Sequence, residues 1–538
     1  TRVGARMARP EKSKDRRSAP MVHGLFPIGD EPTYRKELNT AIQNIGRTGS
    51  SRKTISVPVG KRRCPSCGAS TYRTWCRDCE EHTDLILMKR KFGEVNKEPM
   101  NLSDEVDAAL STLGVSMPKE VKVLDSLISK NEVPENIEKG ILRAIYDLGV
   151  NKDGTLRYDM TDIPLTHFKP SEIELSVERA RELGYTHDMN GAPLTDGDQM
   201  CELKVQDVVP NTGCGDYMVR VSQFIDDLLE KFYGLERYYN IKDRKELIGH
   251  LSIGLAPHTS GGILCRIIGY TEANGAYAHP FFHASKRRNC DGDEDSLILL
   301  LDGLLNFSRS YLPNRRGGLM DAPLVLTTRL DPNEIDKEAH NIDCLREYPL
   351  ELYRAAEAMK DTKDVEKLMD LVSGRIGTER QYEGFGFTHD TKDISEGPKQ
   401  SAYTTLETME DKMNAQLMLG KKIRAVDECD VATRVIDKHF LPDMAGNLRS
   451  FSAQTVRCTK CGAKYRRVPL SGRCICGNNL ILTVHQASVK KYLEVSKDIG
   501  RTYGLSNYTL ERIEVLEMSM ASLFDNDKVR KCKLTDFM

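Results

Sequence analysis

The chain has 538 residues, enough for three to five folded units rather than one ordinary domain. Its composition, 39% hydrophobic and 29% charged, is that of a globular protein and excludes a chain too polar to build a core. No apolar run approaches the ~18 residues that would indicate a membrane helix. The net charge of −1 conceals an uneven distribution, because residues 1–17 hold seven Lys/Arg against two acids.

That basic start, TRVGARMARPEKSKDRR, is either a surface for nucleic acid or polyphosphate, or a solvated tail. The chain opens at Thr1 without a signal peptide or an initiator methionine, as expected of a part of something longer. MVHGLFPIG at 21–29 reads as a strand. NLSDEVDAALSTLG, from residue 101, has an Asn/Ser N-cap and apolar spacing of three and four, which predicts a helix. Short strand-like pieces such as TLRYDMTDIPLTHF dominate 150–200, and YMVRVSQFIDDLLEKFYGL (217–235) is an amphipathic helix ending at Gly234. Residues 247–282 read as strands and tight turns of a compact β unit, and APLVLTTRLDP (322–332) as another strand. From 346 to 445 the pattern is mostly helical, and a charged helical tail follows the second cysteine cluster.

The fifteen cysteines fall into two groups. Seven (Cys201, Cys214, Cys265, Cys290, Cys344, Cys429, Cys532) are scattered without pairing logic, which indicates reduced thiols inside a cell rather than a disulfide framework. RCPSCGASTYRTWCRDC supplies Cys64, Cys67, Cys76 and Cys79, two Cys-x-x-Cys knuckles eight residues apart. RCTKCGAKYRRVPLSGRCICG supplies Cys458, Cys461, Cys474 and Cys476. Four thiolates complete a tetrahedral zinc shell with no open position, so both sites read as structural. The second ends in Cys-x-Cys, where iron–sulfur ligation is the competing reading; paired short-knuckle ribbons favour zinc. Arg73, Arg466 and Arg467, interleaved with these knuckles, are expected to touch nucleic acid.

HASKRRNCDGDEDSLILLLDGLLNF (283–307) carries the densest chemistry. Lys286, Arg287 and Arg288 run into Asp291, Asp293, Glu294 and Asp295, and the apolar run Leu297–Leu301 follows. In an extended segment residues i and i+2 share a face, so Asn289, Asp291, Asp293 and Asp295 can converge oxygen donors on hard cations. The glycine position and the downstream glutamate do not fit an EF-hand loop; a solvated acidic turn remains the alternative from the motif alone. His279 and His283 read as packing or hydrogen-bonding residues rather than ligands.

The Asn-x-Asp-x-Asp-x-Asp pattern resembles the signature of double-psi β-barrel polymerases, the multi-subunit RNA polymerases among them. With GARMARPEK, GHLSIGLAPHTSGGI, AHPFFHASKRRNCDGDED, MDAPLVLTTRLDP and GNLRSF, the whole chain resembles the C-terminal part of the large subunit of archaeal family-D DNA polymerases. The resemblance implies an α+β fold: two double-psi β-barrels forming a polymerase core, two small zinc ribbons and helical C-terminal regions. The first barrel would comprise 1–60 and 85–204, the latter with a helical insertion, around a ribbon at 61–84. The catalytic barrel would occupy 205–345, followed by helices at 346–455, a ribbon at 456–484 and a helical tail at 485–538. Two departures stand out. Family members carry a further four-cysteine module after the first cluster, whereas this chain goes directly to EEHTDLILMKRKFGE, and the last knuckle is shortened to Cys474-Ile475-Cys476.

The resemblance further implies a DNA-directed DNA polymerase in which Asp291 and Asp293 hold two Mg²⁺ ions about 4 Å apart. Asn289 matches the accompanying asparagine, and Asp295 fits the wider signature. Lys12 and Lys14, with Arg17 where a family lysine is expected, and Lys286, Arg287 and Arg288 would serve the dNTP triphosphate and the primer-template DNA. The implied partners are the N-terminal part of the large subunit, a small subunit associated with 3′–5′ exonuclease proofreading, and a sliding clamp. No membrane is implied, and the setting is the archaeal cytoplasm at the nucleoid. The ending VRKCKLTDFM resembles a clamp-binding box, with Leu534 and Phe537 as the plug and lysine in place of the usual glutamine. A non-catalytic zinc-ribbon DNA-binding scaffold and an RNA polymerase-like enzyme are the alternatives.

Overall fold

The computed structural model describes residues 22–28, 37–47, 55–76, 78–86, 97–124, 127, 133–256, 261–290, 293–312, 324–386, 393–396, 405–424, 426–459 and 461–525. The described residues fall into two compact units, one within Lys14–Ser401 and the other within Ala402–Met538.

The larger unit centres on a closed barrel of six strands. They are β1 (Tyr158–Pro164), β2 (Asp207–Val209), β3 (Leu251–Leu255), β4 (Gly261–Ile267), β5 (Ala276–Ala278) and β6 (Glu294–Leu299). Hydrogen bonding runs around the ring in the order β1, β6, β3, β4, β2, β5 and back to β1. The β1/β5 and β2/β4 pairs are parallel and the rest antiparallel. A seventh strand, β7 (Val325–Thr327), adds outside the ring to β4. Closure leaves the ring no free edge and seals an interior that side chains must fill. The apolar run after the acidic motif becomes β6, buried from Asp295 to Leu299. The β1 strand, from a segment expected to complete a first barrel, is a stave of this ring, so the boundary expected at 205 is crossed.

Helix α1 (Leu102–Leu113) buries Leu102, Val106, Ala109 and Leu113, the spacing expected from its sequence, and stops at Gly114 with φ +62°. Helix α2 (Ile137–Ile145) carries Arg143, whose guanidinium meets Glu135 through two bonds of 2.7 and 2.8 Å. Helix α3 (Thr212–Asp227) is capped by Asn211, which accepts from Cys214 N at 2.6 Å. Before residue 150, the described strands form the parallel pair Gly24–Pro27 with Val123–Leu124, the antiparallel pair Ile55–Pro58 with Lys97–Met100, and the first ribbon (Arg62–Arg63, Ser70–Thr71, Asp84–Leu85).

The smaller unit is a helical bundle with the second ribbon. Its helices include α5 (Met409–Lys422), α6 (Glu428–Val435), α7 (Leu441–Ala453), α8 (Leu493–Thr502) and α9 (Asn507–Phe524). Leu417, Ile436, Met444, Val489, Ile513 and Met520 are among the side chains of its own core. Among the described residues no helix is long and apolar enough to cross a membrane.

Candidate active site

A short helix, α4 (Pro280–Ser285), delivers the key side chains into the barrel. Pro280 stands at its first position, where a missing N–H costs nothing, and His279 caps it by accepting from Phe281 N at 3.1 Å. Phe282 packs against β3 at Gly254, where a Cβ would lie only 2.4 Å from the ring. Lys286 ends the helix 4.0 Å from the centroid of the Phe282 ring, with its side chain 1% exposed.

Lys286, Asp295, Asp162 and His283 meet inside the bore, with Arg288 reaching in from its mouth. The Lys286 ammonium donates to Asp295 Oδ2, and Arg288 Nε donates to Asp295 Oδ1 at 3.2 Å. Asp162 comes from β1, whose register sets Met160 opposite Asp295. His283 Nε2 donates to the Ile163 carbonyl at 3.1 Å, which leaves Nδ1 as an acceptor 3.3 Å from Asp162 Oδ1. Two acceptors facing each other in a buried site need a proton or a cation between them.

The electrostatics of the bore follow from burial. It pushes the Asp162 and Asp295 carboxyls up and drives His283 down to about 3, so Asp162 is the group suited to carry a proton. Burial also acts against the Lys286 ammonium, but Asp295 and Asp162 outweigh it and hold its pKa above the usual lysine value. Ligand atoms of Asp162, His283 and Asp295 all lie within 4.8 Å of one another, close enough to share one metal ion. A cavity of about 20 Å³ lies among them, room for a single water molecule.

At the mouth of the barrel the chain turns sharply before β6. Arg287 (φ +58°) and Cys290 (φ +54°) take left-handed conformations that suit few side chains. Arg287 and Asn289 are exposed. The Asp293 carboxylate, 14% exposed, lies 3.8 Å from Arg288 Nη1, and its carbonyl accepts from Asp162 N at 3.0 Å.

Asp293, Asp295, Lys286 and Arg288 are thus brought together, while Lys286, expected at phosphates, is enclosed in the bore. Asp291, the other expected magnesium ligand, lies outside the described residues, as do Lys12, Lys14, Arg17, Leu534 and Phe537. Asp162 escaped the sequence reading. Its one signal is a carboxylate on the same strand face as Met160, and both are buried. His283, read as a hydrogen-bonding residue, is one.

Both cysteine clusters close. The four Sγ atoms of each lie within 4.8 Å of one another. Individual separations are 3.8 Å for Cys67–Cys76, 3.5 Å for Cys458–Cys476 and 3.4 Å for Cys461–Cys474. Zinc–sulfur bonds of 2.3 Å arranged tetrahedrally give edges of ~3.8 Å, so the residues fit zinc, the shortened second knuckle included. The arginines between the knuckles divide. Arg466 and Arg467 are exposed, whereas Arg73 is 8% exposed and bound to Glu105 (2.7 Å) and Glu138 (3.3 Å) on α1 and α2. Arg73 therefore fastens the first ribbon and is not free for nucleic acid, a correction to the expected contact.

Residues 114–412 match the family described as DNA polymerase II large subunit DP2, catalytic domain. The chain belongs to the DNA polymerase II large subunit family. Residues 1–98 match the central domain of the same subunit, and 452–509 match the zinc finger domain of DNA polymerase-epsilon. The catalytic-domain match includes β1, in keeping with its place in the barrel. Among relatives named DNA polymerase II large subunit, the chain is 54% identical to that of Methanocella arvoryzae over 556 residues, covering 100% of this chain and 49% of the relative. It is 51% identical to that of Methanosarcina barkeri over 561 residues (100% and 48%) and 50% identical to that of Methanothermobacter thermautotrophicus over 538 residues (100% and 48%). The chain spans about half the length of the curated relatives it matches.

Proposed function

We propose that the chain is the catalytic part of a replicative DNA-directed DNA polymerase, extending a primer 3′-OH with dNTPs. The observation that carries this reading is the family match across the chain together with the placement of Asp293 at the mouth of a closed barrel, beside Arg288. The ring of β1–β6 is read as the catalytic double-psi barrel, and residues 1–60 with the part of 85–204 outside β1 as contributing the other. Asp291 and Asp293, with Asn289, would hold magnesium. The partly exposed Asp293 carboxylate, in the turn just before β6, fits a hard cation. When bound, Mg²⁺ favours ionisation of the primer hydroxyl and neutralises the departing pyrophosphate.

The chain's own contribution is positioning and charge. Arg288 and the exposed Arg287 offer cations to the triphosphate, and the basic first 17 residues offer them to phosphates. The second ribbon has six Lys/Arg and no acid over 456–484, a composition suited to a DNA backbone. The zinc sites hold the ribbons and take no part in the chemistry. A small subunit would supply 3′–5′ exonuclease proofreading, the N-terminal part of the large subunit would complete the enzyme, and Leu534 and Phe537 would plug a sliding clamp.

Primer extension by the reconstituted two-subunit enzyme tests the assignment. Asp291→Ala and Asp293→Ala should each abolish synthesis while DNA binding persists, which also distinguishes catalysis from a scaffold role. Synthesis surviving both substitutions refutes it, and incorporation of NTPs in preference to dNTPs would favour the RNA polymerase-like alternative.

A further inference from the structure

The alternating spacing of Asp291, Asp293 and Asp295 makes all three equal candidates for metal, yet the folded chain treats the last one differently. We propose that Asp295 is a positioning residue rather than a metal ligand, and that it anchors Arg288 so that the guanidinium is presented at Asp293 to receive the phosphates of an incoming nucleotide. The proposal rests on the polymerase reading above.

Both oxygens of Asp295 are already taken by cations of this chain, Oδ2 by the Lys286 ammonium and Oδ1 by Arg288 Nε at 3.2 Å. Its side chain is 8% exposed and faces the bore, whereas that of Asp293 is 14% exposed and faces the mouth. A metal ion on Asp295 would have to expel Lys286. That ammonium is enclosed by Phe282, Asp162 and Asp295, and its removal would break the buried ion pair it makes with Asp295 and take away the cation beside Asp162. The bore thus carries its own cation.

Arg288 sits across the boundary. Its Nε edge is fixed on Asp295, which leaves the Nη1 end 3.8 Å from Asp293 Oδ2. A guanidinium is a rigid planar fork, so fixing one edge sets the direction of the other. That direction points to the carboxylate where magnesium would bring the triphosphate, and a fork held in advance gives up little freedom when it binds phosphate oxygens. Lys286 thereby leaves the set of phosphate contacts and becomes part of the anchor.

The test uses the complete two-subunit enzyme carrying Asp295→Asn, Arg288→Gln, both together, or Asp293→Asn. Steady-state primer extension and Mn²⁺ binding counted by electron paramagnetic resonance are the readouts. Asp295→Asn should raise the KM for dNTP about tenfold, with kcat within about threefold and bound Mn²⁺ unchanged. Arg288→Gln should do the same, and the double variant should be no worse than Arg288→Gln alone, because both remove one device. Weakened Mn²⁺ binding in Asp295→Asn, or multiplied effects in the double variant, would overturn the proposal. Should Asp295→Asn not fold, Arg288→Gln still decides, since it leaves the Lys286–Asp295 pair in place; an unchanged KM or lost Mn²⁺ sinks the idea. Full activity in Asp293→Asn would instead refute the polymerase reading.

Discussion

Replacing Arg73 by methionine separates two roles that the sequence alone cannot distinguish. Arg73 joins Glu105 at 2.7 Å and Glu138 at 3.3 Å; Glu138 is fully buried, and the Glu105 side chain is 29% exposed. Glu105 can rehydrate once released, so its half of the bridge contributes little. Glu138 cannot, and taking the cation from a buried ion pair costs up to about 3–5 kcal/mol. The expected loss is therefore about 3 kcal/mol, concentrated on the docking of the first ribbon. Trp75, the sole tryptophan of the chain, lies in that ribbon 4.8 Å from the His82 ring and 45% exposed, so its emission in a urea titration follows the unfolding of the ribbon. DNA binding gives the complementary measurement. Each lost phosphate contact lowers the slope of log K against log salt by ~0.9. Arg73→Met should leave that slope unchanged, while Arg466→Ala with Arg467→Ala should reduce it by about 2. An unshifted urea transition combined with a smaller salt slope in Arg73→Met would refute the structural assignment.

Metal analysis of the chain should find two zinc ions, and Cys474→Ser should reduce the count to one while leaving the first cluster loaded. Asp302 is completely buried, accepts from Leu156 N at 2.6 Å and Asn306 Nδ2 at 2.9 Å, and burial pushes its pKa from 3.8 to about 6. The folded chain then binds this proton more tightly than the unfolded one, so its contribution is present below pH ~4 and declines by about 3 kcal/mol as pH rises through ~6. Asp302→Asn should flatten that part of the stability–pH curve measured by urea titration, and an unaltered slope would show that Asp302 does not titrate there.

Features written in short spacings were legible from the sequence. The two cysteine clusters close as their knuckles predict, because ligands a few residues apart on tight turns have little freedom to do otherwise. Helix α1 was equally plain, with apolar positions and a terminal glycine contained in one stretch. Asp162 was not, because its partners His283, Lys286 and Asp295 come from distant chain and meet it only when β1 pairs with β6. For the same reason the place of β1 in the ring was not legible: a strand's own residues fix its period but not which strands become its neighbours.

The basic triplet shows how residues adjacent in sequence can take separate places in the fold. Lys286, Arg287 and Arg288 are adjacent, and adjacency suggests one patch of charge directed at one ligand. Yet the three leave the end of α4 as it turns, with Arg287 in a left-handed conformation, and consecutive side chains of a turning backbone do not share a face. One enters the bore to neutralise carboxylates, one faces solvent and one bridges Asp295 to Asp293. The same reasoning applies to the acidic half. Alternation puts Asp293 and Asp295 on one side of a flat strand, but β6 begins between them, at Glu294. Asp293 still belongs to the turn at the mouth, whereas Asp295 is already a stave residue of a curved wall. The charges of the motif therefore divide where the barrel starts, with Lys286 and Asp295 paired in the bore and Asp293 beside Arg288 at the mouth.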